Sequence, residues 1–240
     1  FLPVGTAESM FPEIAVLGPL FSIDDEEQAV RIYQSEQAEE IFERMREETH
    51  IRCVGFSVEG VRNIWSSRPL ESMEDLEGIR LRLPEIPIFS YVFQTLGVSP
   101  VPMSMAQVYS GLQAGLLDGV ELDTESVLRY HLYDNCMYCM ETEHGITVYT
   151  FFIGDTVFQE MSAEQQTIIE DAANQVSQWM MDQYMEDKEG FREELLKKSV
   201  TFYEPSEEIQ QEIKLRTEEA VFEYLEKYMS REALTALWSQ

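Results

Sequence analysis

An α/β fold with mainly parallel sheets is predicted by the order of elements in this 240-residue sequence. Short β-branched and aromatic runs, such as GITVYTFFI at 145–153, alternate with segments of helical periodicity. The longest helical pattern begins at Ser162 and ends near Lys198, with only Gly190 interrupting it. At 1.5 Å per residue such a helix would be ~50 Å long. Because that length exceeds the width of one small domain, the helix is predicted to link two domains.

The first hundred residues predict one long helix, shorter helical segments and several strands. A helix over 25–47 follows Asp24 and Asp25, either of which can cap it, and acidic residues fill its first turn. The remaining predictions, in order, are strands IRCVGFSV (51–58) and RNIWSS (62–67), a short acidic helix or turn (72–78), strand IRLRLP (79–84), and a helix from Pro87 to Leu96 closed by Gly97.

Capping signals organise the rest of the chain. Ser104 with Gln107, and Ser162 with Gln165, have the spacing of capping boxes that begin helices. The other predicted elements are an extended piece at 98–103, a strand within 116–122, a helix from about Thr124, a strand near 145–153, a late strand at 200–205, and a helix from Glu207 to the end.

Acidic residues dominate the charge of the chain. Lys and Arg number 17 and Asp and Glu number 45, which gives a net charge of −28. A strongly negative surface repels phosphate groups, so nucleic acids and anionic membranes are not expected partners. No apolar run approaches the ~18 residues that a membrane span needs, so no direct membrane insertion is expected.

Motifs of known enzyme classes are absent from the sequence. It contains no H-E-x-x-H, Walker loop, G-x-G-x-x-G or G-x-S-x-G, and its three histidines are scattered. No catalytic residue, metal site or cofactor is therefore predicted. Cys136 and Cys139 form a lone C-x-x-C and, with Cys53, are interpreted as packed or weakly reactive thiols. The alternative is a small α/β enzyme, either a hydrolase or a redox protein that uses this pair.

Four arginines lie within 21 residues: Arg62, Arg68, Arg80 and Arg82. In a regular strand Arg80 and Arg82 point to the same face. The planar guanidinium group matches a carboxylate with two parallel hydrogen bonds, so the cluster indicates an anion site. In so acidic a protein that site must be a local positive concavity. The alternative is ordinary ion pairing with the acidic residues between positions 71 and 77.

The segment 76–121 carries a more specific pattern. It contains G-I-R-L-R, then L-G-V-S-P-V-P-M, V-Y-S-G-L-Q-A-G and D-G-V-E, in that order over about 45 residues. This pattern resembles the substrate-binding proteins of TRAP transporters, the DctP family. PEIAVLGPLF, GVRNIWSSRPLESMEDLEG and the strand followed by the long helix extend the resemblance over nearly the whole chain.

The resemblance implies a two-lobed, periplasmic-binding-protein-like α/β fold with a long helix that spans both lobes. Lobe I is expected to comprise residues 1–59 and 148–187, and lobe II residues 60–147 and 188–240. Family members begin with two strand–helix units before the equivalent of Phe1. Roughly 60 residues, at ~30 per unit, are therefore expected to be missing from lobe I.

The resemblance also implies a ligand site. The family's carboxylate-binding arginine falls on Arg82, and a second ligand arginine falls on Arg62, whereas Arg68 and Arg80 are expected to serve the structure. The remaining site residues that the resemblance implies are Met105, at a position that is often aromatic, Tyr109, Glu121, Leu122, where the family often has Asn, and Asp123. Because Met105 and Leu122 depart from the family pattern, the choice among substrates stays open.

The implied function is that of a periplasmic or extracytoplasmic solute receptor without catalytic activity. It would bind a C4-dicarboxylate, a sugar acid or another carboxylate, and deliver this ligand to the membrane subunits of a TRAP transporter.

Overall fold

The computed structural model describes residues 1–240 and contains one seven-stranded sheet. The strands lie in the order β1-β6-β2-β5-β3-β4, and β7 pairs with β6. They are β1 Leu2–Pro3, β2 Ile51–Ser66, β3 Arg80–Leu83, β4 Ser99–Pro102, β5 Gly119–Asp123, β6 Tyr138–Gly154 and β7 Thr201–Tyr203.

The prediction of mainly parallel sheets is wrong, because two long antiparallel strands form the middle of the sheet. β2 and β6 pair along most of their 16 and 17 residues, and β2–β5 and β1–β6 are also antiparallel. Only β3–β4, β3–β5 and β6–β7 are parallel. β2 also joins the two predicted strands 51–58 and 62–67. Register shifts on either side of Gly60, which has a φ of +155°, absorb the break in the apolar pattern.

Ten α-helices accompany the sheet. They are α1 Glu26–Tyr33, α2 Glu36–Thr49, α3 Met73–Leu76, α4 Pro87–Gln94, α5 Met105–Gln113, α6 Thr124–Arg129, α7 Asp155–Gln159, α8 Ala163–Lys197, α9 Glu207–Leu225 and α10 Arg231–Trp238. Residues Val4–Ser9, Pro12–Leu17 and Leu132–Asp134 form 3-10 helices. None of the α-helices combines the length and the apolar character needed to cross a membrane.

The helix ends test the predicted caps. Asp25 caps α1, but the predicted helix 25–47 breaks, because the Ser35 hydroxyl accepts from the Ala38 amide and starts α2. At α8 both bonds of the predicted capping box are present, between Ser162 and Gln165. At α5 the predicted box does not form: the Gln107 amide donates to the Ser104 carbonyl, and the Ser104 hydroxyl contacts the Gln107 side chain.

The long helix α8 lies along β2. A methyl group on Gly55 would lie 2.8 Å from the Ser177 hydroxyl and 3.3 Å from Ala173, so the helix and strand approach closely there. Two hydrophobic cores occupy opposite faces of the sheet, since Ile64 belongs to one and the next residue, Trp65, belongs to the other.

Candidate functional site

Arg62 lies at the centre of a buried polar group formed by β2, β5 and β6. The strand register places Arg62 opposite Asp123 on one side and Gly145 on the other. Its Nε and Nη2 donate to the two carboxylate oxygens of Glu121, the latter over 2.9 Å, and its Nη1 donates to the Thr147 hydroxyl over 2.9 Å. The Phe89 ring covers the guanidinium at 5.3 Å. Most of the hydrogen-bonding capacity of Arg62 is therefore satisfied within the protein.

His144 completes this group. Its Nε2 lies 2.9 Å from Glu121 Oε1, and its Nδ1 lies 2.7 Å from the Thr142 hydroxyl. Burial lowers the pKa of His144, which keeps the imidazole neutral at pH 7. A carboxylate can only accept, so Nε2 carries the proton and donates to Glu121, while Nδ1 accepts from Thr142.

Glu121 remains ionised although it is fully buried. Burial alone would raise its pKa, but the charge of Arg62 and the hydrogen bonds from His144 and Arg62 outweigh that effect and lower the pKa to about 2. The three side chains thus form a satisfied network that has no unpaired charge.

Arg82 has a different environment. Only 5% of the residue is exposed, and its Nε donates to the Met103 carbonyl over 2.9 Å, but no carboxylate pairs with it. Burial lowers the pKa of Arg82 to about 10, with Glu121 opposing that shift and Arg62 adding to it. The chain has twelve arginines, and Arg82 is the one that makes no salt bridge.

The other two clustered arginines pair with acidic residues, as predicted. Arg80 is exposed and holds Asp118 with two hydrogen bonds of 2.6 and 2.8 Å, while its Nη1 donates to the Gly115 carbonyl. Arg68 pairs with Asp75 over 2.7 Å.

The structure separates the remaining predicted site residues. Asp123 is buried beside the network, where Oδ1 caps α6 and Oδ2 accepts from Thr147 over 3.3 Å. Leu122 lies in the hydrophobic core that also contains Trp65, and Met105, at the start of α5, packs against that core. Tyr109 is exposed and donates to Asp134 over 3.2 Å. Ligand contact by these four residues stays a prediction.

A small pocket opens beside Arg62. Its walls come from the N-terminal segment, the start of α4 and the middle of β6. The lining side chains include the apolar Val4, Ile14, Ile86, Ile88, Phe89, Ile146 and Val148, and the polar Glu8, Arg62 and Thr147.

Sequence reasoning missed His144, Thr147 and Glu8. No motif links them to the arginines. His144 is 23 residues from Glu121 and meets it only because β5 and β6 both pair with β2. The one available signal was the presence of an uncommon residue type, His, beside a predicted buried strand.

The cysteine pair lies in the hydrophobic core that contains Trp65 and does not line this pocket. Cys136 and Cys139 are fully buried free thiols. Burial raises the pKa of Cys136 to about 12 and raises that of Cys139 as well, so both stay protonated at neutral pH.

The sequence of this chain is similar to those of known solute-binding proteins. A solute-binding protein of Roseobacter denitrificans is 28% identical over 193 residues, which cover 80% of this chain and 59% of the relative. The sialic acid-binding periplasmic protein SiaP of Vibrio cholerae is 27% identical over 146 residues, covering 61% of this chain and 46% of SiaP. The chain thus spans about half the length of the curated relatives that it matches.

Solved structures show the same fold. The crystal structure of a TRAP periplasmic solute-binding protein from Roseobacter denitrificans with bound L-galactonate superposes with a TM-score of 0.85 at 25% identity, covering 99% of this chain and 77% of that one. The chain therefore has the two-lobed α/β fold of these proteins, with its long helix. The family model for bacterial extracellular solute-binding protein family 7, DctP, matches residues 4–228, and the chain belongs to this family.

Proposed function

We propose that this protein is an extracytoplasmic receptor for a small organic acid, whose carboxylate is held by Arg82 with Arg62 beside it. The observation that carries the proposal is the lack of a carboxylate partner for Arg82. The other eleven arginines all make ion pairs in a chain with 45 acidic residues. A buried, unpaired guanidinium is costly, and an anionic ligand would remove that cost.

The proposed role of Arg82 follows from its free donors. Its Nε is used by the Met103 carbonyl, while Nη1 and Nη2 make no hydrogen bond within the protein. The guanidinium fork can bind both oxygens of a carboxylate through those groups. Arg62, whose donors are largely taken by Glu121 and Thr147, would contribute its charge and at most one or two further hydrogen bonds.

Sugar acids are the ligand class that we favour. The relatives include a sialic acid-binding protein and a protein crystallised with L-galactonate, and both ligands carry one carboxylate on a polyhydroxylated body. C4-dicarboxylates and other carboxylates are the remaining candidates. Delivery to the membrane subunits of a TRAP transporter, and location in the periplasm, are part of the same proposal and follow from family membership.

The proposed lobes are residues 1–59 with 148–187 and residues 60–147 with 188–240. Ligand binding would close them by rotation about the crossings near Glu59, Val148 and 187–190. Two features support a hinge there: the left-handed φ of Gly60, and the register shift in β2 between Val58 and Gly60. X-ray scattering should show a smaller radius of gyration at saturating ligand, and an unchanged shape would count against the lobes.

We further propose that the protein is not an enzyme. Thermal stability of the full-length protein, measured with L-galactonate, sialic acid, succinate and the neutral sugar galactose, tests the receptor function. At least one acid should raise the melting temperature, and galactose should not. If no organic acid stabilises the protein, the receptor proposal fails. It also fails, in favour of the enzyme alternative, if the protein turns over a generic ester or a disulfide substrate.

A further inference from the structure

One carboxylate in the lining of the pocket beside Arg62 has an oxygen without a hydrogen-bond partner. It belongs to Glu8, which lies in the 3-10 helix Val4–Ser9 and is only 3% exposed; the unpartnered atom is Oε2. The other buried side-chain atoms without a partner are hydroxyl oxygens outside this pocket, those of Tyr33, Ser57 and Ser177. Glu8 is therefore the one acidic residue with a buried oxygen that the protein leaves unsatisfied.

The neighbours of Glu8 hold its carboxylate in place. Oε1 accepts a hydrogen bond from the Tyr224 hydroxyl. Burial raises the pKa of Glu8, but this hydrogen bond, the Ile88 amide and the charge of Lys227 all favour the ionised form and oppose the rise. Val4, in the same 3-10 helix, belongs to the 37-residue hydrophobic core, so the helix is fixed to the body of the protein. An ionised carboxylate in a fixed position can only accept hydrogen bonds.

The protein offers this acceptor no further donor from the side chains of the pocket. A carboxylate oxygen that is buried without a donor has lost its water and gained nothing in return, which is unfavourable. The other polar side chains of the lining are Arg62 and Thr147. Arg62 donates to Thr147 and Glu121, and Thr147 donates to Asp123. The arrangement therefore indicates a donor that comes from outside the chain.

The positive charges at the site suffice for one carboxylate of a ligand. Arg82 is the arginine without an acidic partner, whereas Arg62 already neutralises Glu121. None of the five lysines lines the pocket. A second carboxylate in this pocket would lie near the negative charge of Glu8, without a lysine or an unpaired arginine in the lining to balance it. Like charges repel more strongly in a buried site than in water.

We propose that Glu8 selects the class of ligand: its carboxylate accepts a hydrogen bond from a hydroxyl group of a monocarboxylate and repels the second carboxylate of a dicarboxylate. The inference rests on the proposed receptor function, in which Arg82 and Arg62 hold the carboxylate of the ligand. It narrows the ligands to hydroxylated monocarboxylates, a class that includes the sugar acids. Attraction to one class and repulsion of the other both contribute to such a preference.

Pairs of acids that differ at one carbon test the proposal. L-Galactonate and galactarate form one pair, and 4-hydroxybutyrate and succinate form another; in each pair a terminal CH2OH group is replaced by a carboxylate. In isothermal titration calorimetry the parent protein should bind the hydroxy acid of a pair about 10- to 100-fold more tightly. In Glu8→Gln the hydroxy acid should bind about 5- to 20-fold more weakly and the dicarboxylate more tightly, because the repelling charge is gone.

Two control variants separate contact with the ligand from other effects of Glu8. Glu13→Gln makes the same change of charge in the next 3-10 helix, at a side chain that pairs with Arg44 and does not line the pocket. Tyr224→Phe removes the donor to Oε1 and keeps the carboxylate. Both controls should keep the preference of the parent within a few-fold. A collapse of the preference in either control would attribute it to net charge or to packing, and would overturn the role of Glu8.

Failure of this inference is distinguishable from failure of the receptor function. If the parent binds galactarate or succinate as tightly as the matching hydroxy acid, or if Glu8→Gln keeps the preference, the inference is overturned and the receptor function stands. If sialic acid is the one acid that binds, unchanged affinity in Glu8→Gln overturns the inference in the same way. If none of these acids binds the parent, the receptor function fails and the inference fails with it. If Glu8→Gln does not fold, the preference of the parent and of the two controls decides.

Discussion

Replacement of Arg82 is the sharpest test of the proposed anion site. In the Arg82→Ala variant, a ligand carboxylate would be enclosed without its cation. Breaking a buried ion pair in this way costs ~3–5 kcal/mol, and at 1.4 kcal/mol per tenfold this corresponds to a loss of affinity of about 10²- to 10³-fold or more. Arg82→Lys keeps the charge but loses the planar fork, so it should also bind much more weakly than the parent.

Arg80→Ala is the matched control, because it removes the same side chain two residues earlier on β3. The Arg80 side chain is 44% exposed and already paired with Asp118, and an exposed pair of this kind is worth ~0–1 kcal/mol. Isothermal titration calorimetry with the organic acid found by the thermal screen would measure all three variants. Parent-like affinity in Arg82→Ala, or a larger loss in Arg80→Ala, would refute the assignment and place the anion site elsewhere.

Three further outcomes are expected. Glu121→Gln should lower the free energy of unfolding in urea at pH 7 by ~3–5 kcal/mol, because it leaves a buried guanidinium without its carboxylate. Since the folded pKa of Glu121 is lowered from 4.5 to about 2, its stabilisation is present above pH 4.5 and is lost as pH falls toward 2, so the parent should lose stability over that range more steeply than the variant. Changing both Cys136 and Cys139 to Ser should leave ligand affinity within a few-fold in calorimetry, and a large loss would revive the redox alternative. Ser162→Ala removes the cap of α8 and should cost ~1 kcal/mol in urea unfolding, and an unchanged midpoint would show that the cap is dispensable.

The helices were more predictable from the sequence than the sheet. The capping box at Ser162 and the uninterrupted periodicity that follows it are local signals, and α8 begins and ends within a residue or two of the prediction. The direction of strand pairing is not local. β2 crosses Gly60 without ending, because bulges absorb the irregular positions, and its partner β6 lies more than 70 residues further along the chain. The alternation of strands and helices therefore led to a prediction of parallel pairing, whereas the strands at the centre of the sheet are antiparallel.

At the candidate site, too, local sequence signals were predictive, whereas contacts between distant residues were not. The composition selected the arginine cluster, but only the resemblance distinguished Arg80 from Arg82, which lie two residues apart on one strand. The difference comes from Asp118, which lies at the end of a loop 38 residues away and meets Arg80 only in the folded chain. In the same way, the contact of Arg62 with Glu121 depends on strand register, which sequence spacing does not reveal.

The network around Arg62 explains how Arg82 stays unpaired in so acidic a protein. The carboxylates that act on Arg82 are Glu121 and, more weakly, Glu85. Glu121 is held by Arg62 on one side and by His144 on the other, so its two oxygens are already satisfied. A carboxylate with both oxygens bound gains little by turning toward a second guanidinium. Arg62 and His144 thus satisfy the carboxylate that acts most strongly on Arg82, and the net charge of −28 on the molecule coexists with one buried arginine that makes no ion pair within the chain.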